Sequence, residues 1–415
     1  MTENNQDNDK NIFVQFLECY KRNAFCTLIR QPAGFIYLII INVFFLCGCN
    51  SIDNNKLVQR NNNIEEYCSK YNNAKINSFI DIGKMHNKSA SLKLLLLNDN
   101  NVIISGGSTV QEINNFEIFN PQDGQYKIIT LPAKFKQSRN SMIIDEDNIL
   151  INDAFIYNYK TGKYTNIFNK DDYTNYSTSF LYSECEIFIL EKDEKCYLYN
   201  FDNNSLKEVR IKFPFNLAGK NFIKIDKENI LVYGTQVVKN KPGAYYKTHL
   251  YLWNIKNNAF KQLNPNDIST GVSIVKLDNN EIIIFCEKFY NQDENNIGKK
   301  EQETYKLNVK TNKLVKIKNS IIDRKSSPIA TMLSNNKIFL IGGESNTENG
   351  EMIAELYDIA ENKYFKLSAT MSTYIPANPF LRPAILELSN KDILLCGGVY
   401  ESNIQDKCLI YKMEK

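Results

Sequence analysis

The sequence predicts an all-β fold, a seven-bladed β-propeller, and three observations carry that prediction. One motif recurs six times with a constant internal spacing, an apolar run precedes each copy, and the last repeat is left unfinished in a way that the first strand can complete. The motif is an aromatic or Leu followed by Asn or Asp, with a second aromatic or Leu six residues after the Asn or Asp. Its copies are Phe119-Asn120 to Tyr126, Tyr157-Asn158 to Tyr164, Tyr199-Asn200 to Leu206, Trp253-Asn254 to Phe260, Leu307-Asn308 to Leu314 and Tyr357-Asp358 to Tyr364. Inside each copy lies a residue suited to a tight turn (Gly124, Gly162, Asn204, Asn258, Asn312, Asn362), so each copy reads as a third strand, a hairpin and a fourth strand.

The second strand of each unit is the apolar run before the motif. These runs are Val102–Ile104, Ile149–Ile151, Ile187–Leu190, Ile230–Val232, Ile282–Phe285, Ile338–Ile341 and Ile393–Leu395. Turn residues such as Asn98-Asp99-Asn100-Asn101 separate each from an earlier apolar strand, which supplies strand one. Seven units result, about 38 to 56 residues apart, in the spacing range of propeller blades. After Cys408-Leu409-Ile410-Tyr411 the chain stops before a fourth strand can form, whereas Phe79 to Met85 resembles the closing strand Tyr364 to Met371. The N-terminal strand is therefore expected to complete the seventh blade; six or eight blades are the alternatives.

Three second strands end in a glycine pair: Gly106-Gly107, Gly342-Gly343 and Gly397-Gly398. With the Tyr/Asp strand and closing aromatic that follow, this pattern resembles the kelch repeat, from Ser78 to Lys415. Asn152-Asp153, Tyr233-Gly234 and Cys286-Glu287 stand in place of the pair elsewhere. The resemblance implies glycines with a structural role and function carried by loops.

Ahead of the repeats, the chain divides into residues 1–32, a cytosolic or n-region; 33–49, a signal or anchor; and 50–75, a polar linker to the propeller at 76–415. Ala33 to Cys49 is a 17-residue apolar run preceded by Lys21, Arg22 and Arg30. It ends Leu46-Cys47-Gly48-Cys49, which resembles the lipobox of bacterial lipoproteins and would make Cys49 the lipidated residue. An uncleaved single-pass anchor is the alternative. Either places the propeller in the cell envelope, outside the cytoplasm.

Composition excludes several chemistries. Fifty Lys and Arg against 47 Asp and Glu give a net charge of +3, with no footprint for nucleic acid. Only two histidines occur, His86 and His249, and no CxxC pair, so no metal or cofactor is expected and a copper site of the galactose-oxidase type is not built. Gly-x-Ser-x-Gly elbows and phosphate loops are absent. Cys396 and Cys408 end and begin neighbouring strands around one loop, so a disulfide between them is geometrically accessible; buried thiols are the other reading. Of seven arginines, Arg139, Arg324 and Arg382 sit beside first strands, the innermost of each blade, and Lys88 holds a similar place in the first unit. These four are candidate ligand contacts at the mouth of the central funnel, Arg being suited to bidentate capture of anions.

The reading that follows is a monomeric, membrane-tethered binding or scaffold module for a protein or glycan. A secreted sugar mutarotase of the sialic-acid mutarotase type is the alternative. The ligand is expected on the face carrying the polar insertions Val237–His249, Lys288–Glu303, Glu344–Met352 and Val399–Lys407.

Overall fold

The structure is a computed structural model. It describes residues 54–107, 113–135, 141–151, 153–168, 178–191, 194–214, 218–240, 243–263, 272–278, 280–290, 299–322, 328–343, 352–371, 383–400 and 403–414. Its described residues form seven four-stranded antiparallel sheets arranged as the blades of a propeller. Blades 1 to 6 occupy 93–135, 141–166, 178–209, 218–263, 273–316 and 329–371 in turn. Blade 7 takes three strands from 384–412 and its outermost strand, Ser78–Lys84, from the other end of the ring. Ser78 pairs with Lys412, Phe79 with Tyr411, Ile80 with Ile410 and Asp81 with Leu409. Among the described residues no helix is long and apolar enough to cross a membrane, and the apolar run 33–49 lies outside them.

The apolar second strands explain why the blades form a ring. In a strand, successive side chains point to opposite faces, so a blade between two others needs apolar residues on both. The alternation is visible residue by residue. Val102 and Ile104 enter the core between blades 7 and 1, whereas Ile103 enters that between blades 1 and 2. Ile149 and Ile151 face blade 1, and Leu150 faces blade 3. Phe339 and Ile341 face blade 7, and Ile338 and Leu340 face blade 5. Among the described residues there are thus seven core clusters, one for each seam between blades.

The constant six-residue interval has an equally local cause. In every copy the Asn or Asp side chain accepts a backbone N–H two or three residues on: Asn120 from Gln122 (2.8 Å), Asn158 from Thr161 (2.9 Å), Asn200 from Asp202 (3.1 Å), Asn254 from Asn257 (3.2 Å), Asn308 from Thr311 (3.0 Å) and Asp358 from Ala360 (3.0 Å). That bond starts the turn. The turn residue four positions after the Asn or Asp then takes a positive φ, between 48° and 72°, which Gly and Asn tolerate. The aromatics on either side become direct cross-strand neighbours, as in Trp253 and Phe260, whose rings stack at 5.5 Å.

A second bond accompanies the motif. Tyr199 donates its hydroxyl to Asn204 Oδ1 (2.8 Å), Trp253 its indole N–H to Asn258 Oδ1 (3.1 Å), and Tyr357 its hydroxyl to Asn362 Oδ1 (2.8 Å). The turn Asn therefore satisfies the polar tip of a ring that is otherwise buried. Blade 1 has Gly124 there instead, and a Cβ at that position would lie 2.4 Å from the ring of Tyr67.

Tyr67 belongs to α1 (Asn54–Asn73), within the stretch read from sequence as a polar linker. From Asn63 onward this helix is part of the same compact unit as the ring. Its polarity concealed two tyrosines that pack across the seam between blades 1 and 7. Tyr67 is buried in that seam's core and donates to Pro121 O (2.7 Å). Tyr71 hydrogen-bonds Asp392 of blade 7. Asp392 also accepts the Met413 N–H (2.9 Å), while Lys412 Nζ donates to Tyr71 O (2.9 Å) and lies over its ring. The helix thus clamps the place where the two ends of the ring meet.

Two expected outcomes follow from these contacts. Asn362→Gly keeps the backbone conformation but removes the partner of Tyr357, and should cost about 1 kcal/mol in denaturant unfolding; in a Tyr357→Phe background the same change should cost close to nothing. Burial, and for Tyr71 also the bond to Asp392, hold the Tyr67 and Tyr71 hydroxyls above the ordinary tyrosine value of 10.0. The unfolded chain then loses these protons before the folded one, so their contribution is whole below about pH 10 and falls as the pH rises further. Urea midpoints between about pH 9 and 11 should drop less steeply in Tyr67→Phe/Tyr71→Phe than in the parent chain.

Candidate functional site

The blade topology sorts the connections onto two faces. Turns joining strands one to two and three to four lie on one face. The connections from strand two to three, and from each blade to the next, lie on the other, together with the glycine pairs.

On this second face, all six glycines of the pairs have positive φ, from 68° to 103°. The pairs of blades 1 and 7 also admit close backbone approach. A Cβ on Gly107 would fall 2.6 Å from Ala90 O, and one on Gly397 would fall 2.3 Å from Ser89 O. Ser89 and Ala90 belong to the segment that leads from the closing strand into blade 1. Ser89 donates its N–H to Gln405 O (3.1 Å) and its hydroxyl to Gly106 O (3.1 Å), and its own carbonyl accepts the Gly398 N–H (3.1 Å). The glycine pairs hold the crossing between blades.

Buried glutamates on third strands do the same work by charge. Glu117 accepts the backbone N–H groups of His86 (2.9 Å) and Asn87 (3.1 Å), and Glu355 accepts that of Ile321 (3.0 Å) together with the Ser320 hydroxyl. Both residues occupy the position three before the motif Asn or Asp, and each fixes the connection entering its own blade. Burial pushes the Glu117 carboxyl above its usual range, against the pull of the two N–H bonds.

Of the sequence candidates, Lys88 is an exposed side chain next to Ser89. Arg139, Arg324 and Arg382 lie outside the described residues. The structure joins Cys396 and Cys408 by a disulfide at directly paired positions of neighbouring strands, both side chains fully buried. Cys185 and Cys196 are free thiols; Leu190, and not Cys185, is the strand partner of Cys196. Among the described residues no group of three or more His, Cys, Asp or Glu converges on a point that could hold a metal ion. His249 lies on the third strand of blade 4 and His86 in the segment leading into blade 1, where its N–H meets Glu117; burial lowers the pKa of His249.

Sequence reasoning did not single out Lys93 and Asp153. First strands of neighbouring blades touch one another, so Lys93, which opens the first strand of blade 1, lies on the innermost layer. It is reached by water yet surrounded by protein, and those surroundings lower its ammonium pKa while the Asp153 carboxylate pulls it back up. Asp153 is buried, has a positive φ of 55° and accepts the hydroxyl of Ser179 from the first strand of blade 3. The signal was available: Asp153 replaces a glycine where the backbone turns left-handed, a place that Asp and Asn also tolerate.

Two of the polar insertions are not loops. In blade 4 the pairing of strands two and three runs without a break from Asn229↔Asn254 to Asn240↔Gly243. Strand-one pairing ends at Ala218↔Thr235 and strand-four pairing at Leu250↔Leu263, so among the described residues the rungs from Gln236↔Lys247 outward form a two-stranded ribbon. Blade 5 repeats the arrangement. Its central pairing runs to Tyr290↔Lys299, whereas its first and fourth strands stop pairing at Ser273↔Phe285 and Tyr305↔Lys316. The segment Val237–His249 reads as a polar insertion because Lys239-Asn240-Lys241-Pro242-Gly243 separates its short apolar pairs Val237-Val238 and Tyr245-Tyr246, and no period-two alternation marks a strand. In the insertion of blade 7, Val399–Tyr400 pairs with Asn403–Ile404; residues 344–351 of the insertion in blade 6 lie outside the described residues.

No protein-family model matches the chain, and no curated protein matches it. Solved structures do. The structure of U3-55K aligns with a TM-score of 0.51 at 8% identity, over 80% of this chain and 98% of that one. A fungal alcohol oxidase of the AA5 family, in complex with copper, aligns at 0.48 with 12% identity, over 80% and 76% of the two chains. YjhT aligns at 0.44 with 13% identity, over 78% and 95%. What this chain shares with U3-55K at that identity is the β-propeller fold.

Proposed function

We propose that the chain is an extracytoplasmic, membrane-tethered binding module whose partner docks on the face bearing the glycine pairs and the two ribbons. The observation that carries this reading is the paired ribbons. Two adjacent blades lengthen the same two strands on the same face, beyond the pairing of their own sheets. Among the described residues no first or fourth strand pairs with these rungs, and an isolated two-stranded ribbon is marginal in water, so a partner is the simplest use for both.

The apolar run 33–49 and Cys49 support the tether, with lipidation of Cys49 preferred over an uncleaved anchor. A buried cross-strand disulfide between Cys396 and Cys408 suits an oxidising compartment outside the cytoplasm. The propeller supplies a rigid frame, and the loops and ribbons supply the contact surface.

Replacing residues 236–247 by Asn-Gly would close blade 4 with a two-residue hairpin at the paired Thr235 and Thr248. The ring should keep its unfolding midpoint. A photo-crosslinking residue at position 301, on the ribbon of blade 5, should give a discrete adduct on intact cells that this replacement removes. An adduct unchanged by the replacement, or none, would contradict the reading. For the tether, mass spectrometry of the mature N-terminus should find an acylated Cys49, whereas an intact Met1 would establish the uncleaved anchor.

A further inference from the structure

The opposite face carries a cleft that neither the ribbons nor the funnel explains. It lies between α1, two turns of blade 1 and the first turn of blade 7, with a volume of about 430 Å³. That is within the size of small-molecule sites, roughly 300–1,000 Å³. We propose that this cleft binds a neutral saccharide.

The lining sets the chemistry. Four side-chain amides face it, those of Asn72, Asn100, Gln122 and Asn390, beside the rings of Tyr67 and Tyr71, and no Asp, Glu, Lys or Arg is among its lining residues. The four amide residues are exposed. The Asn390 amide is bonded through both atoms, donating to Tyr71 Oη and to Asp392 Oδ2 (3.2 Å) and accepting the Asp392 N–H (3.1 Å). Asn100 Oδ1 accepts from Ser389, so Asn72 and Gln122 supply the amides that donate and accept as a ring of hydroxyls requires. The two tyrosine rings lie nearly parallel, 12° apart with centroids at 6.0 Å, and give the cleft an aromatic wall for the C–H face of a sugar. An ionic ligand would lose its hydration here without meeting an opposite charge.

Nearby charges are already committed. Asp392 accepts from Tyr71, from Asn390 Nδ2 (3.2 Å) and from the Met413 N–H (2.9 Å). Lys412 donates to Tyr71 O (2.9 Å). The walls are also fixed before any ligand arrives. Tyr67 is bonded to Pro121 O (2.7 Å), and the Ser389 hydroxyl to Asn100 Oδ1, so α1 and both blades are tied together around the opening. A cleft held in place in this way loses little freedom on binding.

The test titrates the full-length chain with maltotriose, cellobiose and chitobiose as neutral probes, and with N-acetylneuraminic acid and glucosamine as charged ones. Calorimetry and saturation-transfer NMR read the binding. A neutral probe should bind with a Kd below the millimolar range, and neither charged probe should compete. Gln122→Ala should weaken binding about tenfold, the loss of one good hydrogen bond to the ligand. Asn72→Trp should fill the cleft and abolish binding. Both residues are exposed, so the unfolding midpoint of each variant should match the parent and show that the ring is intact. Excision of residues 236–247 should leave sugar binding untouched, which keeps this outcome separate from that of the ribbons. The proposal is overturned if no neutral probe binds, if binding survives Asn72→Trp, or if a charged probe binds more tightly.

Discussion

Everything in this molecule depends on the pairing of Ser78–Lys84 with Lys407–Lys412. Each second strand is apolar on both faces and needs a neighbour on either side, so a row of seven blades would leave an apolar face bare at each end. Closing the row with a strand from the opposite end of the ring removes both faces at once, together with the open sheet edge. The seam it creates is supported in several ways at once. It holds the core that includes Ile80, Ile82 and Ile410, the disulfide between Cys396 and Cys408, and the clamp of Tyr67 and Tyr71. A junction made by two distant parts of the chain has the largest loop entropy to overcome, and this is where the added contacts accumulate.

The fold was legible in the sequence because its determinants are short-range. A two-sided strand reads as an uninterrupted apolar run, and a turn started by an Asn side chain and completed by a left-handed residue reads as a fixed interval. Closure was legible too, since Phe79 repeats the pattern of Tyr364 and meets Tyr411 as Tyr364 meets Tyr357. The helix was not. Its contribution rests on two tyrosines in a stretch rich in Asn and charge, and their partners Pro121 and Asp392 lie 54 and 321 residues away. No periodicity announces contacts of that kind.

The candidate sites were less legible for a related reason. The glycine pairs stood out, and the structure explains them through left-handed backbone and the close passage of Ser89 and Ala90. The ribbons looked like polar insertions because their residues show no regular alternation of apolar and polar positions, the signature by which strands are recognised. Lys93 and Asp153 come from different blades, and only ring geometry brings them near one another. The amides of the cleft come from a helix and three separate turns, each of which alone reads as an ordinary solvated turn.

The bond between a buried ring and the turn residue five positions later has a consequence for how such a chain can change over time. Tyr199 with Asn204, Trp253 with Asn258 and Tyr357 with Asn362 each settle a hairpin within a single peptide-length stretch. A hairpin that carries its own instructions does not consult its neighbours, so one blade can drift while the ring persists. Over enough substitutions the seven units keep their shape and lose their common spelling, which is the condition of a chain that aligns with solved propellers while no family model matches it.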